Sequence, residues 1–333
     1  MKKRIITAIF MLAIFVPVVV LPEMFQIFQI IMALLSLLAS NELIHMYEKK
    51  KKFPGISKYI IMLCALLIYL AASAEWQSLA DDWVLQSSEI DMNKLTVSYD
   101  LLSILNINIR FLPMMILCSI LIFSMLVVYR DFDGTDVGKA LTIIIYSGVG
   151  FAGMTILRSI GLRFIMYMFL ITSLTDVFAY FCGVAFGKHK MCPHISPHKT
   201  WEGSIGGTTV ATLVATLYGY FYGAMFGNPP FGPKDATTIL NDAPFLTSAF
   251  VSKMNELEKF FCIFALTLLA SIVSQLGDLV ASKLKRTYDI KDYGDIFPGH
   301  GGVLDRFDSA IFSSMFLVTV FTMLISISYR FAG

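Results

Sequence analysis

Apolar residues run along this chain in long blocks separated by short polar breaks. A window of about 19–20 residues resolves the blocks into about nine helices. They are predicted near residues 5–21, 24–41, 57–74, 110–129, 139–157, 162–186, 204–226, 259–284 and 307–328. Only Pro22 and Glu23 separate the first two. Runs of this length with so few charges are membrane spans. The expected fold is therefore an all-α polytopic membrane protein with no soluble domain, low-complexity tract or internal repeat. Residues 1–135 form an N-terminal region of about four spans, and residues 136–333 hold the other spans and the most informative polar segments.

Composition supports that class: 56% of the 333 residues are apolar and 15% are charged, and the mean hydropathy is +0.71. Soluble domains carry about 25% charged residues. A net charge of +2 gives no reason to expect a nucleic-acid partner. The five cysteines are scattered, with no C-x-x-C pair, and read as small apolar packers. The opening MKKR and its apolar run resemble a signal peptide, but no A-x-A cleavage site follows and a second run comes at once. They are read as the first span.

Loop charges set the orientation. Lys2, Lys3 and Arg4 precede the first span and Lys49 to Lys52 follow the second, which places the N-terminus in the cytoplasm. The stretch after the third span carries Glu75, Asp81, Asp82, Glu89, Asp91 and Asp100 against Lys94, as expected outside. Arg158 and Arg163 flank a short turn assigned to the outside, a mild exception. The loops near 187–203 and 285–306 then share the cytoplasmic face, and the C-terminus lies outside. The loops at 75–109 and 227–257 suggest no function.

Candidate chemistry gathers around those two cytoplasmic loops. At the end of the eighth predicted helix, Gln275, Asp278, Ser282 and Lys285 are spaced by three, four and three, which puts them on one helical face. An Asp or Lys at bilayer depth costs about 2.5–3.5 kcal/mol. Such a stripe is expected to meet water, metal or substrate. Snorkelling of loop charges is the plainer alternative, but it gives no role to Asp305 and Asp308 or to the P-G-H-G-G turn.

Asp176 and Tyr180 lie one turn apart in the sixth predicted helix, and Gly183 and Gly187 continue that face with little bulk. Such glycines admit another helix or a ligand. A structural contact between helices is the alternative role for Asp176. The loop that follows supplies Lys188, Lys190 and Lys199 with several hydroxyls, and Glu202 suits the start of the next helix. Binding to anionic lipid headgroups would also explain this loop. His189, His194, His198 and Cys192 do not have zinc-site spacing. A hard cation matches better. Asp278, Asp305 and Asp308 supply oxygen ligands suited to magnesium and a magnesium–phosphate complex. Lys285, Arg286, Lys291 and Arg306 suit phosphate oxygens. Gly301 and Gly302, within the turn from Pro298, offer backbone N–H groups to an anion. Acids for metal beside bases for phosphate are the kit of phosphoryl or nucleotidyl transfer. No Walker-type loop or G-x-G-x-x-G is present.

These residues also carry a resemblance. S-x-L-K-R from Ser282, K-D-Y-G from Lys291 and P-G-H-G-G-V-L-D-R-F-D ending at Asp308 are similar to the signature of phosphatidate cytidylyltransferases, the CDP-diacylglycerol synthases. Q-x-G-D from Gln275 and I-S-P-x-K-T-x-E-G from Ile195 resemble that family too. Residues 136–333 become the catalytic region, with the signature at 282–308, while the first half matches only in hydropathy.

The resemblance implies transfer of the cytidylyl group of CTP to phosphatidate, giving CDP-diacylglycerol and pyrophosphate, with magnesium required. Asp278, Asp305 and Asp308 would hold the metal. Lys285 and Arg286, with Lys199 and Arg306, would neutralise the triphosphate, and Ser282 and Ser196 would hydrogen-bond phosphate oxygens. Asp176, Lys291, Gly301 and Gly302 are further substrate-binding candidates. His300 is assigned to binding or loop ordering, because a phosphate monoester dianion needs no base to attack. One or two magnesium ions, an added monovalent cation and a homodimer all stay open. A polar funnel open to the cytoplasm and the membrane would let lipid tails stay in the leaflet while CTP arrives from the cytoplasm. The short N-terminal extension favours a bacterial inner membrane. Another CTP-dependent lipid enzyme, such as a polyprenol-type kinase, is the near alternative. A cation transporter using Asp176 and Asp278 is the distant one, and the halves lack the symmetry it requires.

Overall fold

Length and apolarity select the crossing helices in the computed structural model, which describes residues 13, 15–86, 109–222, 225, 254–297 and 301–332. In chain order the helices are α1 (Phe25–Glu48), α2 (Ser57–Gln86), α3 (Phe111–Val128), α4 (Gly134–Ile160), α5 (Leu162–Phe186), α6 (Trp201–Tyr220), α7 (Glu256–Thr287) and α8 (Leu304–Ala332). The protein is an all-α polytopic membrane protein. Among the described residues, seven helices are long and apolar enough to span a bilayer: all of these except α6. The expected count of about nine is not confirmed among them. Most of the first predicted span, 5–21, lies outside the described residues. The seventh, 204–226, is the helix α6, but Gly203, Gly206 and Gly207 and its threonines lower its apolar content. Residues 75–86, expected in a loop, continue α2 as helix. The rest of the stretches at 75–109 and 227–257 falls almost wholly outside the described residues.

The chain divides into two compact units. One comprises the described parts of Met1–Asp81, Thr96–Ile156 and Leu284–Phe307, and the other those of Asp82–Leu95, Leu157–Lys283 and Asp308–Gly333.

In the first unit, α4 widens into a π-helical segment at Ile144–Val149. Ser147 Oγ lies 2.7 Å from Ser40 Oγ, and Ser36 Oγ donates to the Ser147 carbonyl at 3.2 Å. A Cβ on Gly148 would sit 2.7 Å from the Ala65 carbonyl oxygen. The wider turn thus brings the α4 backbone against α1 and α2 and satisfies buried hydroxyls. Leu112, Ile116, Ile120, Phe123 and Val127 leave α3 with a broad exposed apolar surface, as a lipid-facing span requires.

In the second unit, α5 and α6 pack closely. A Cβ on Gly203 would meet the Ala179 carbonyl at 2.6 Å, and one on Gly207 the Thr175 carbonyl at 2.5 Å. The small residues admit a neighbouring helix, as expected from the Gly183 face. Strands β1 (Lys190–Cys192) and β2 (Ser196–Thr200) pair antiparallel, with Lys190 opposite Thr200 and Cys192 opposite Ser196. This hairpin was not expected, because Pro193 and Pro197 mark a loop. Pro193 lies in the turn, and Pro197 sits in a short two-stranded sheet where a missing N–H is tolerated. Thr200 then caps α6 by accepting the Gly203 N–H at 3.2 Å.

Candidate active site

The hairpin carries Lys199 to Asp278. Its Nζ lies 2.5 Å from Asp278 Oδ2, with each side chain 27% exposed. On α7, Ser282 Oγ donates to Asp278 Oδ1 at 3.2 Å, so the predicted polar face is real at these two positions. Asp176 of α5 lies within electrostatic reach of both Asp278 and Lys199. Gly277 explains how α8 joins them: a Cβ there would sit 2.7 Å from the Asp308 carbonyl oxygen. Next to Asp308, the Ser309 hydroxyl faces the Asp176 carboxyl, and the Ser309 N–H donates to Asp308 Oδ1 at 2.8 Å. The second unit thus brings Asp176, Lys199, Asp278 and Ser282 together and packs the backbone at Asp308 beside Gly277.

Gln275 has another task. Its side chain accepts from Ser204 Oγ at 2.5 Å and donates to Thr208 Oγ1 at 2.7 Å, joining α7 to α6. Glu202 stands in the first turn of α6, as expected, and also accepts the Lys188 and His189 N–H groups at 3.1 and 3.2 Å. The His189 ring approaches it at 2.6 Å. These contacts hold the carboxyl of Glu202 down to about 2. Ser196 is half-buried on β2.

In the first unit, the signature segment folds around Asp305. Lys285 Nζ donates to Asp305 Oδ1 at 2.8 Å, and Oδ2 accepts the Tyr293 and Gly302 N–H groups at 2.8 and 2.9 Å. The Lys285 and Asp305 side chains are only 13% and 6% exposed. Gly301 has φ +84°, and a Cβ there would meet Asp305 Oδ2 at 2.8 Å, so glycine is needed on both counts. The Gly302 N–H, expected to be offered to an anion, is given to Asp305. Lys285 sits in the last turn of α7, which ends in paired bonds from Ile290 N to the Lys285 carbonyl (3.0 Å) and from Asp289 N to the Arg286 carbonyl (3.3 Å). Asp289 supplies the left-handed residue at φ 53° that this terminus requires. Arg286, Lys291 and Arg306 are exposed. His300 lies outside the described residues.

One participant escaped the sequence reading. Glu42 of α1, 4% exposed, accepts the Val303 N–H at 2.8 Å and the Leu304 N–H at 3.0 Å. The predicted span stopped at residue 41, whereas α1 continues to Glu48. An acid inside an apolar helix was the available signal.

The donor set also bears on magnesium. Among the described residues no three of His, Cys, Asp and Glu gather about one point. Magnesium commonly takes only one or two carboxylates and completes its shell with phosphate oxygens and water. Asp278 already faces a cation, the Lys199 ammonium, with Asp176 within electrostatic reach of both. Such a set fits a hard cation arriving with a triphosphate.

Comparison with known proteins places the chain in a family. Residues 2–324 match the cytidylyltransferase family. The chain is 33% identical over 314 residues to the phosphatidate cytidylyltransferase of Staphylococcus haemolyticus, covering 94% of this chain and 95% of that one. Identity to the enzyme of the same name from Staphylococcus epidermidis is 33% over 313 residues, with the same coverage. For Staphylococcus aureus it is 32% over 314 residues, again covering 94% and 95%. With similarity running through nearly its whole length, the chain belongs to the cytidylyltransferase family.

Proposed function

We propose that the protein transfers the cytidylyl group of CTP to phosphatidate, forming CDP-diacylglycerol and pyrophosphate. The observation that carries this reading is the convergence of Lys199, Asp176 and Asp278 from the hairpin, α5 and α7. An oxygen of the phosphatidate phosphate attacks the α-phosphorus of CTP in line. The bond from that phosphorus to the bridging β-phosphate oxygen breaks, and its electron pair leaves with pyrophosphate. Neither a covalent enzyme intermediate nor a general base is required.

Asp278 and Asp308 would hold magnesium, which when bound neutralises triphosphate charge and stabilises the departing pyrophosphate. Asp305, the third expected ligand, has both oxygens engaged by Lys285, Tyr293 and Gly302, so ligation by it would require release of a donor. Lys199, which here faces Asp278, would bind a phosphate oxygen of the nucleotide. Lys285, Arg286 and Arg306 neutralise charge on the nucleotide, Ser282 and Ser196 donate to phosphate oxygens, and Lys291, His300 and Gly301 contribute to binding. The positive-inside pattern supports a catalytic face on the cytoplasmic side of a bacterial inner membrane.

The test is pyrophosphate release by the purified protein in mixed micelles containing CTP and phosphatidate, with and without magnesium. The expected result is turnover that needs all three, with CDP-diacylglycerol identified by mass. CTP binding without product formation from phosphatidate would redirect the search to another lipid phosphate.

A further inference from the structure

The first turn of α8 lacks a local cap. Four N–H groups at a helix start have no intrahelical acceptor, and the position before Leu304 is Val303, whose side chain accepts nothing. Glu42 fills that role from 261 residues away, with one oxygen on Val303 N–H and the other on Leu304 N–H. The next N–H upstream, that of Gly302, goes to Asp305. Three successive amides of the signature are thus consumed by two carboxylates, one brought by α1 and one by α8 itself.

The surrounding packing is built for this contact. A Cβ on Gly294 would stand 2.9 Å from Glu42 Oε1, and one on Gly302 would overlap the carboxylate. Five residues beyond Glu42, the Tyr47 ring meets the edge of Tyr288, with centroids 5.1 Å apart. Two residues before it, on another face of α1, Ser40 is tied to the π-helical segment of α4. A negative group at a helix N-terminus is also favoured by the macrodipole.

We propose that Glu42 is a positioning residue for cytidylyl transfer: it fixes the first turn of α8, and thereby the placement of Asp305 and Arg306. This rests on the function proposed above. A displacement of about 1 Å at reacting groups can cost roughly 100-fold in rate. Loss of the cap is therefore felt in turnover before it is felt in folding.

The test compares Glu42→Gln, Glu42→Asp and Ser40→Ala in detergent micelles. Hydrogen exchange of the peptide covering Val303 and Leu304 is followed alongside kcat, KM for CTP and thermal unfolding. Glu42→Gln keeps shape but turns an amide N–H toward one backbone donor. It is expected to speed exchange at 303–304 and lower kcat by about 10-fold or more, while the protein stays monodisperse. Glu42→Asp is too short to span both amides and should fall between it and the wild type. If Glu42→Gln does not fold, Glu42→Asp carries the test. Ser40→Ala, which loosens α1 away from the loop, should lower the unfolding temperature and leave kcat unchanged. Wild-type kcat and exchange in a folded Glu42 variant would overturn the proposal, as would an equal loss of kcat in Ser40→Ala. An inactive wild-type protein would overturn the function proposed above, and unchanged exchange would still overturn the role of Glu42.

Discussion

Asp278 and Asp305 each face a lysine at hydrogen-bond distance, yet their surroundings differ. The Lys199–Asp278 pair is 27% exposed on both sides, and its lysine comes from a hairpin of two short strands. The Lys285–Asp305 pair is 13% and 6% exposed, and Asp305 also takes two backbone N–H groups. The first pair, being part-exposed, can separate at little cost, as the proposed function asks of Asp278 and Lys199. The second is part of the framework that shapes the signature segment. Residue type alone made the two carboxylates equivalent, and burial with backbone donors separates them.

Asp305→Asn should break that contrast most severely. Removing one partner of a buried ion pair costs about 3–5 kcal/mol, because the other charge is left uncompensated. Chemical denaturation in detergent should show that loss, and turnover should fall with it. Asp278→Asn comes next. It is expected to lower magnesium-dependent turnover by about 100-fold or more, while costing at most about 1 kcal/mol of stability because the pair is partly exposed. Equal stability losses in the two variants would erase the distinction. Near-wild-type turnover in Asp278→Asn would remove it from the metal site.

Gly207→Ala moves to the seam that carries Asp176. Its Cβ would lie 2.5 Å from the Thr175 carbonyl and 2.8 Å from the Ala179 N, both backbone atoms that yield little. Overpacking of this kind costs about 1–3 kcal/mol. Thermal unfolding should register that loss, with turnover reduced through the shift of Asp176 relative to Asp278.

How much of this was legible follows from the range of each interaction. Asp278 and Ser282 are bonded one turn apart, and 3.6-residue periodicity revealed their shared face. The α5–α6 seam was half legible, because Gly183 announced a close approach without naming α6. Pairing across the chain was not legible: no local rule joins Lys199 to Asp278 or Glu42 to Val303. Glu42 was hidden further by a span boundary placed too early. The hairpin was hidden by prolines, which a short two-stranded sheet tolerates. Of the spans expected, α6 is not apolar enough to count among the seven in the described residues, because it combines helical spacing with glycines and threonines that thin its apolar surface. The metal assignment treated three aspartates alike because the sequence does not show which carboxylate is already bound by backbone.

The smallest effect expected separates the hairpin from the signature segment by pH. Glu202 accepts the Lys188 and His189 N–H groups at the hairpin base, and its carboxyl is lowered to about 2, first by the His189 ring and then by backbone donors. A carboxylate depressed in the folded state adds stability that is present above its ordinary range and lost as pH falls toward the folded value. Acidification from about pH 4.5 toward about pH 2 should therefore release the hairpin base. Exchange at Lys188 and His189 should accelerate across that window, and Glu202→Gln should show fast exchange already at neutral pH with no further acid step attributable to this site. Because Glu202 is solvent-accessible, the effect on global unfolding should be slight. The hairpin also carries Lys199, so its loosening should weaken the hold on Asp278. An acid step that persists unchanged in Glu202→Gln would show that the hairpin is anchored elsewhere, and the exchangeable character of the Asp278 pair would then have to rest on its exposure alone.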